Sequence, residues 1–279
     1  MITRTLADEA AALAQSARHV ALCLDFDGTL APVVENPEHA RPLPGMLDVL
    51  ASLASRFAAV ALVSGRPAAY LAEHALADGV RYLGLYGLQE IRAGRIWVDP
   101  RLQAARPAVV AATDDLRAAA VIAASGAFLE DKEYAVAVHT RRIADPQRWA
   151  GPIDEVVRAV AARRGLDVIA GRLVWELRPA VKGDKGDAVR RVVAESGARC
   201  VVVIGDDLGD LPAFAAARSL TTEGGAALLL AVHSAEAPPQ LLAEADAIVE
   251  GPAGVRDFLQ LLLAPNPTDG DTPPQRSTR

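Results

Sequence analysis

Cysteine is scarce: the chain holds two, Cys23 and Cys200, each inside an apolar run. Neither a disulfide framework nor thiol chemistry is expected from such a pair, and both read as small buried hydrophobes. Aromatic residues are equally few at 4%, so any core must be aliphatic. The 51% hydrophobic content of the 279 residues supplies enough for one large domain or two modest ones. No block of consecutive Lys or Arg occurs and the formal net charge is −6, which argues against a nucleic-acid partner. No stretch reaches the roughly 18 uninterrupted apolar residues that span a bilayer, so no membrane segment is expected. Met1 to His19 mixes Ala and Leu with Asp8, Glu9 and Arg18, the pattern of an amphipathic helix rather than a charged leader followed by an apolar run. The expected compartment is the cytoplasm, and a monomer is the default.

What the chain does contain is alternation. Short apolar runs at Val20 to Leu24, Ala58 to Val63 and Cys200 to Ile204, with weaker ones at Tyr82 to Leu85 and Ala247 to Val249, read as buried parallel strands. Amphipathic helical segments lie between them, including Pro44 to Arg56, Pro67 to Ala77 and Lys185 to Ser196. This is the order of a doubly wound α/β sheet, in which ligands bind beyond the carboxyl ends of the strands. The middle of the chain differs: an Ala-rich helical stretch from Leu102 to Ala124, interrupted near Pro107, precedes runs of period two. In Glu133 to Arg141, Ala135, Ala137, His139 and Arg141 share one face, which is expected to be wet; in Arg172 to Arg178, Arg172, Val174, Glu176 and Arg178 share another. The expected division is a core of residues 1–87 and 180–264, an inserted α+β cap of residues 88–179, and a disordered tail, 265–279, too polar to bury a core. No internal repeat is present.

The polar motifs fall where the strands end. The first strand runs into Asp25-Phe26-Asp27-Gly28-Thr29, placing two carboxylates in one turn. Such crowding calls for a cation, and an oxygen-only donor set suits Mg²⁺; solvated acids in an Asp-Gly turn are the plain alternative. The second strand ends in Ser64-Gly65-Arg66-Pro67, where a hydroxyl beside backbone N–H groups can hold a phosphate oxygen or simply cap the next helix. Lys185 opens a later helix with a compact positive charge, as many surface lysines do. The strand Cys200 to Ile204 then ends in Gly205-Asp206-Asp207-Leu208-Gly209-Asp210. Two acidic turns at one sheet edge would repel each other unless neutralised, so the second turn decides in favour of a shared cation.

DxDGT, Ser-Gly, Lys-Gly and GDDxxD in this order resemble the haloacid dehalogenase (HAD) superfamily of phosphohydrolases. The resemblance implies a Rossmann-like doubly wound parallel-sheet core with an inserted α+β cap of the C2 type. It also implies that Asp25 is the nucleophile and that Asp27 is the acid for the leaving alcohol, then the base for water. Asp27 must have a proton to give, for which neighbouring acids and closure of the cap are expected. Ser64 and Lys185 would bind the phosphoryl group, with Gly65 and Arg66 beside Ser64 as substrate contacts. Mg²⁺ would be held by Asp25, the Asp27 main-chain carbonyl and Asp206, supported by Asp207 or Asp210.

Within the insertion, Leu129-Glu130-Asp131-Lys132, Val138-His139-Thr140-Arg141 and Glu176-Leu177-Arg178-Pro179 look like the trehalose-6-phosphate phosphatases, and the likeness runs from Ala21 to Leu263. By that resemblance a cap covers the site and reads the leaving group, with Lys132, His139, Arg141, Glu176 and Arg178 as disaccharide or phosphate contacts. The sequence departs from the family pattern where Gly209 and Leu211 replace a Thr and a Glu of the last motif. It departs again where Tyr86 stands at a common His and where Glu90 lies one place after the usual Glu. The expected function is hydrolysis of trehalose 6-phosphate in trehalose biosynthesis. The alternatives are a sucrose 6-phosphate or mannosyl-3-phosphoglycerate phosphatase, a phosphosugar mutase, or a non-catalytic sugar-phosphate sensor.

Overall fold

The computed structural model describes residues 5–171, 173–181, 183–222 and 224–264; the disorder expected for 265–279 concerns residues outside these. Two compact units divide the chain, Met1–Ile96 with Gly183–Arg279 and Trp97–Lys182.

The first unit is built on an eight-stranded sheet. In chain order its strands are β1 (Val20–Leu24), β2 (Ala59–Val63), β3 (Arg81–Gly84), β4 (Gln89–Arg92), β5 (Arg95–Val98), β10 (Cys200–Gly205), β11 (Ala226–His233) and β12 (Ala247–Glu250). They lie side by side as β12-β11-β10-β1-β2-β3-β4-β5, and β5 straddles the boundary of the unit. All neighbours from β12 to β3 run parallel; β4 turns back antiparallel on β3. β1 and β2 are buried along their whole length, as an apolar run covered on both faces requires.

Period-two alternation sends side chains to opposite faces. Leu22, Leu24, Val60, Leu62, Val202 and Ile204 pack with residues of α1 (Leu6–Gln15), α2 (Met46–Ala54) and α9 (Gly251–Leu261). Ala21, Cys23, Ala61, Val201 and Val203 pack on the other side with α7 (Lys185–Ser196) and α8 (Leu211–Thr222). Cys23 is thus a core residue, and burial pushes its thiol up to about 12. No disulfide forms; both cysteines are free.

The second unit has a four-stranded antiparallel sheet of β6 (Phe128–Asp131), β7 (Val136–His139), β8 (Leu166–Gly171) and β9 (Val174–Pro179), in the order β6-β7-β9-β8. One face carries Val136, Val138 and Leu177 into a cluster with Val109 and Leu116 of α4 (Pro100–Ala118), Ile122 of α5 (Ala120–Ser125) and Ile153 and Val157 of α6 (Pro146–Arg164). The Ala-rich stretch breaks at Ala119, whose backbone is extended, rather than near Pro107, which α4 accommodates. Among the described residues no helix is long and apolar enough to cross a membrane.

Leu22 is fully buried in the middle of the parallel sheet, whereas Ile248 on the outermost strand is 51% exposed. Leu22→Ala is expected to lower the unfolding free energy by about 2–5 kcal/mol and Ile248→Ala by about 0.5 kcal/mol, read from urea denaturation midpoints.

Candidate active site

Three parallel strands deliver the site. Beyond β1, the Asp25 N–H still donates to the Ile204 carbonyl at 3.0 Å, so the chain turns only after Asp25. The N–H groups of Leu30 and Ala31 both return to the Phe26 carbonyl at 2.9 Å, and the buried Phe26 ring anchors the turn in the core. Gly28 sits at φ +75°, and a Cβ there would collide with the Asp206 carboxylate. The glycine therefore lets the first acidic turn approach the second.

Beyond β2, Ser64 is buried, with its N–H on the Leu83 carbonyl and its own carbonyl accepting from the Tyr86 N–H. Its hydroxyl oxygen accepts from the Arg66 N–H at 3.1 Å. α3 (Ala68–His74) begins just after, with Pro67 as a cap that supplies no side-chain hydrogen bond. The missing acceptor comes from Gln89, whose Oε1 receives the Ala68 N–H at 2.8 Å while the side chain is fully buried. Gln89 occupies the place of the family's usual Glu. Next to it, buried Glu90 is bound by Arg81 and Arg92 at 2.6 and 2.7 Å. Burial opposes its charge, but the Arg81 and Arg92 hydrogen bonds prevail and lower its pKa.

Beyond β10, Asp210 organises the last motif. Its Oδ2 accepts the N–H groups of Asp206 and Asp207 at 3.0 and 3.2 Å. Its Oδ1 accepts Lys185 Nζ at 2.7 Å. A Cβ at Gly205 would strike this carboxylate. Lys185, the first residue of α7, lies equally close to Asp25 Oδ1, at 2.7 Å, so one ammonium joins the first motif to the last. Asp207 turns its carboxylate to the Gly209 N–H at 2.7 Å.

Carboxylate oxygens of Asp25, Asp206 and Asp210 all lie within 4.8 Å of one another. Three acids and one ammonium leave negative charge uncompensated. Burial, more than the neighbouring acids, pushes Asp25 well above the usual carboxylate range, although Lys185 pulls the other way. Burial, then Asp210 and Asp207, pushes Asp206 up to about 7. For Lys185, burial opposes the charge, yet Asp210 and Asp25 outweigh it and raise its pKa well above the ordinary value. A divalent cation fits this cluster: the donors are hard oxygens, and its charge relieves the repulsion among them. Both oxygens of Asp210 are already engaged, which leaves Asp25 and Asp206 as the available side-chain donors.

Asp27 stands apart from these acids. Its two oxygens accept Nε and Nη2 of Arg66, each at 2.7 Å. The Arg66 guanidinium lies over the Tyr70 ring at 4.5 Å, and the Tyr70 hydroxyl donates into the Pro37 to Ala40 loop. The charged neighbour of Asp27 is a cation, not the acids expected from sequence. A guanidinium so engaged has a partner within the protein, a role that the motif alone does not reveal.

Gly65 follows Ser64 in the first unit, where a Cβ would press on the Tyr86 hydroxyl; the other predicted residues belong to the second unit. Lys132 Nζ meets Glu176 Oε2 at 2.7 Å and Glu130 Oε2 at 3.8 Å, and Glu130 Oε2 meets His139 Nε2 at 2.8 Å. Glu130 was not among the candidate site residues; its signal was its place two residues before Lys132, on the same strand face. Arg178 pairs in register with Asp167 across β9 and β8. Arg141 lies in the turn after β7, exposed and outside this cluster.

The profile of the trehalose-phosphatase family matches residues 23–240. The chain belongs to this family. A trehalose-phosphate phosphatase of Mycolicibacterium paratuberculosis is 36% identical over 214 residues, covering 74% of this chain and 54% of that one. The chain thus spans about half the length of the curated relatives it matches. Among solved structures, the C-terminal domain of the C. albicans trehalose-6-phosphate phosphatase superposes with a TM-score of 0.73 at 22% identity, covering 92% of this chain and 96% of that one. A haloacid dehalogenase-like hydrolase from Bacteroides thetaiotaomicron does so with a TM-score of 0.59 at 17% identity, covering 87% and 98%. At these identities the structures speak to the fold, which is HAD-like. Family membership also implies a divalent metal, in agreement with the Asp cluster.

Replacing Lys185 by Met would bury Asp25 and Asp210 without their shared cation, and the variant is expected to lose about 3–5 kcal/mol of stability in chemical denaturation. The pH dependence of metal binding has a definite sign. Only the carboxylate form of Asp206 binds a cation, and that form is lost as the pH falls through about 7. Divalent-cation affinity measured by calorimetric titration should be highest above pH 7 and weaken by about tenfold per unit below it.

Proposed function

We propose that the chain hydrolyses trehalose 6-phosphate to trehalose and inorganic phosphate through a phosphoaspartate on Asp25. The observation that carries the reading is Lys185 bound at once to Asp25 and Asp210, with Asp206 in the same cluster. The reading takes these residues as a nucleophile, a phosphate-binding cation and a metal cradle, and it is supported by a family whose relatives include trehalose-phosphate phosphatases.

An Asp25 oxygen attacks phosphorus in line, and the phosphorus bond to the sugar oxygen breaks. Asp27 gives its proton to the departing alkoxide. In the second step Asp27 takes a proton from water, the water oxygen attacks phosphorus, and the phosphoryl bond to Asp25 breaks to release phosphate. Lys185 and the Ser64 hydroxyl hold the phosphoryl oxygens, beside Gly65 and Arg66. The Arg66 hold on Asp27 has to open before Asp27 can donate.

Mg²⁺ would be held by Asp25, Asp206 and the Asp27 carbonyl, with Asp207 and Asp210 in support. When bound, it neutralises charge on the transferring group and lets a carboxylate approach it. Lys132, His139, Arg141, Glu176 and Arg178 supply the sugar contacts, since vicinal hydroxyls are matched by fixed charged donors and acceptors. The enzyme acts in the cytoplasm as a monomer.

Phosphate release should be measured on trehalose 6-phosphate, sucrose 6-phosphate and glucose 6-phosphate, with and without Mg²⁺. Trehalose 6-phosphate is expected to be preferred and turnover to need the metal, while Asp25→Asn loses about a thousandfold or more and Asp27→Asn about 10²- to 10⁴-fold. Full activity of Asp25→Asn would remove the nucleophile assignment. Equal turnover of glucose 6-phosphate would remove the disaccharide.

A further inference from the structure

The face of the four-stranded sheet away from its helices is zoned. Strand register places Glu130, Ala137, Glu176 and Ile169 in one row and Phe128, His139, Val174 and Gly171 in a second. A third row holds Lys132, whose N–H donates to the Ala135 carbonyl, with Arg178 opposite Asp167. Rows two residues apart share a face and lie about 7 Å apart along the strands. Cations dominate one outer row, carboxylates occupy the middle row, and apolar side chains flank His139 in the other outer row. Alanine at 135 and 137 keeps the strand between β6 and β9 low, and Lys132 reaches across it to Glu176.

Phe128 does not fit a packing account. Of the five phenylalanines in the chain, Phe26, Phe57, Phe214 and Phe258 are each no more than 3% exposed, whereas Phe128 is 50% exposed. Its ring lies 6.0 Å from the His139 ring with 37° between the planes, on the opposite face from the helix-covered cluster. Leaving a phenyl ring in water forfeits the gain of burying it, so its position beside charged rows calls for a ligand with two kinds of surface. A pyranose is such a ligand. Its hydroxyls run round the rim, and its axial C–H bonds form an apolar face that rests against the electron-rich face of an aromatic ring.

The geometry points to Phe128 as a specificity-determining residue: its exposed ring is the platform for one pyranose of the sugar phosphate, whose hydroxyls turn to the carboxylate and cation rows beside it. This rests on the sugar-phosphate reading above. The platform touches no reacting atom and binds ground state and transition state alike, so its loss raises KM and spares kcat.

The test is steady-state kinetics of the wild type, Phe128→Ala, Phe128→Leu and Phe128→Trp on trehalose 6-phosphate, with glucose 6-phosphate as comparison for the wild type. Phe128→Ala and Phe128→Leu should both raise the trehalose 6-phosphate KM by about tenfold with kcat within about twofold, and Phe128→Trp should restore it. Thermal melts matching the wild type establish that the half-exposed site leaves folding intact. If the wild type prefers trehalose 6-phosphate but Phe128→Ala keeps its KM, the platform is overturned alone. If Phe128→Leu binds as well as Phe128→Trp, size rather than an aromatic face decides, which also overturns it. A wild type indifferent to the two substrates overturns the substrate reading and the platform with it.

Discussion

One ammonium group holds the first unit's acidic edge together. Lys185 is 4% exposed and sits 2.7 Å from oxygens of both Asp25 and Asp210. Burying three ions costs several kcal/mol each before attraction is counted, and the fold offsets that cost by pairing them with one another and with main-chain donors. Asp210 is the clearest case, with one oxygen on Lys185 and the other on two main-chain N–H groups. The residual negative charge at Asp25 and Asp206 is the part the protein leaves unbalanced, and a divalent cation completes it.

The two units divide the chemical labour by composition. In the first, β1, β2 and β10 are aliphatic, and the acids and the serine that follow them lie in turns where the strands end, held by contacts from Phe26, Gln89 and Asp210. In the second, an antiparallel sheet covered by helices on one side leaves the other side free for a whole grid of polar groups. Arg66 adds a restraint on the first: it lies over the Tyr70 ring and bonds both oxygens of Asp27, which fixes the second carboxylate of the first acidic turn.

Most strands of the parallel sheet were legible because Val20 to Leu24, Ala59 to Val63 and Cys200 to Gly205 are apolar runs closed by turn residues. β11 is not legible in the sequence: Ala-Ala-Leu-Leu-Leu-Ala-Val has the composition of a helix and no period, and only its place beside β10 makes it a strand. β4 and β5 likewise draw on pairing rather than on pattern. The break expected at Pro107 fell instead at Ala119, a residue with no turn chemistry of its own. Arg141, read as continuing the period of β7, lies in the turn beyond it because the strand ends at His139.

The order of the acidic, serine and lysine motifs along the chain pointed to the family, since those residue types at strand ends have few other uses. Which partner each side chain takes was decided by tertiary structure. Sequence spacing cannot show that Asp210 caps two main-chain N–H groups, that Arg66 closes on Asp27, or that Glu130 joins His139 to Lys132. These contacts depend on strands distant in the chain arriving side by side in a fixed register. A carboxylate's role follows from the charge and the donors within about 4 Å of it, and only the folded chain brings those together.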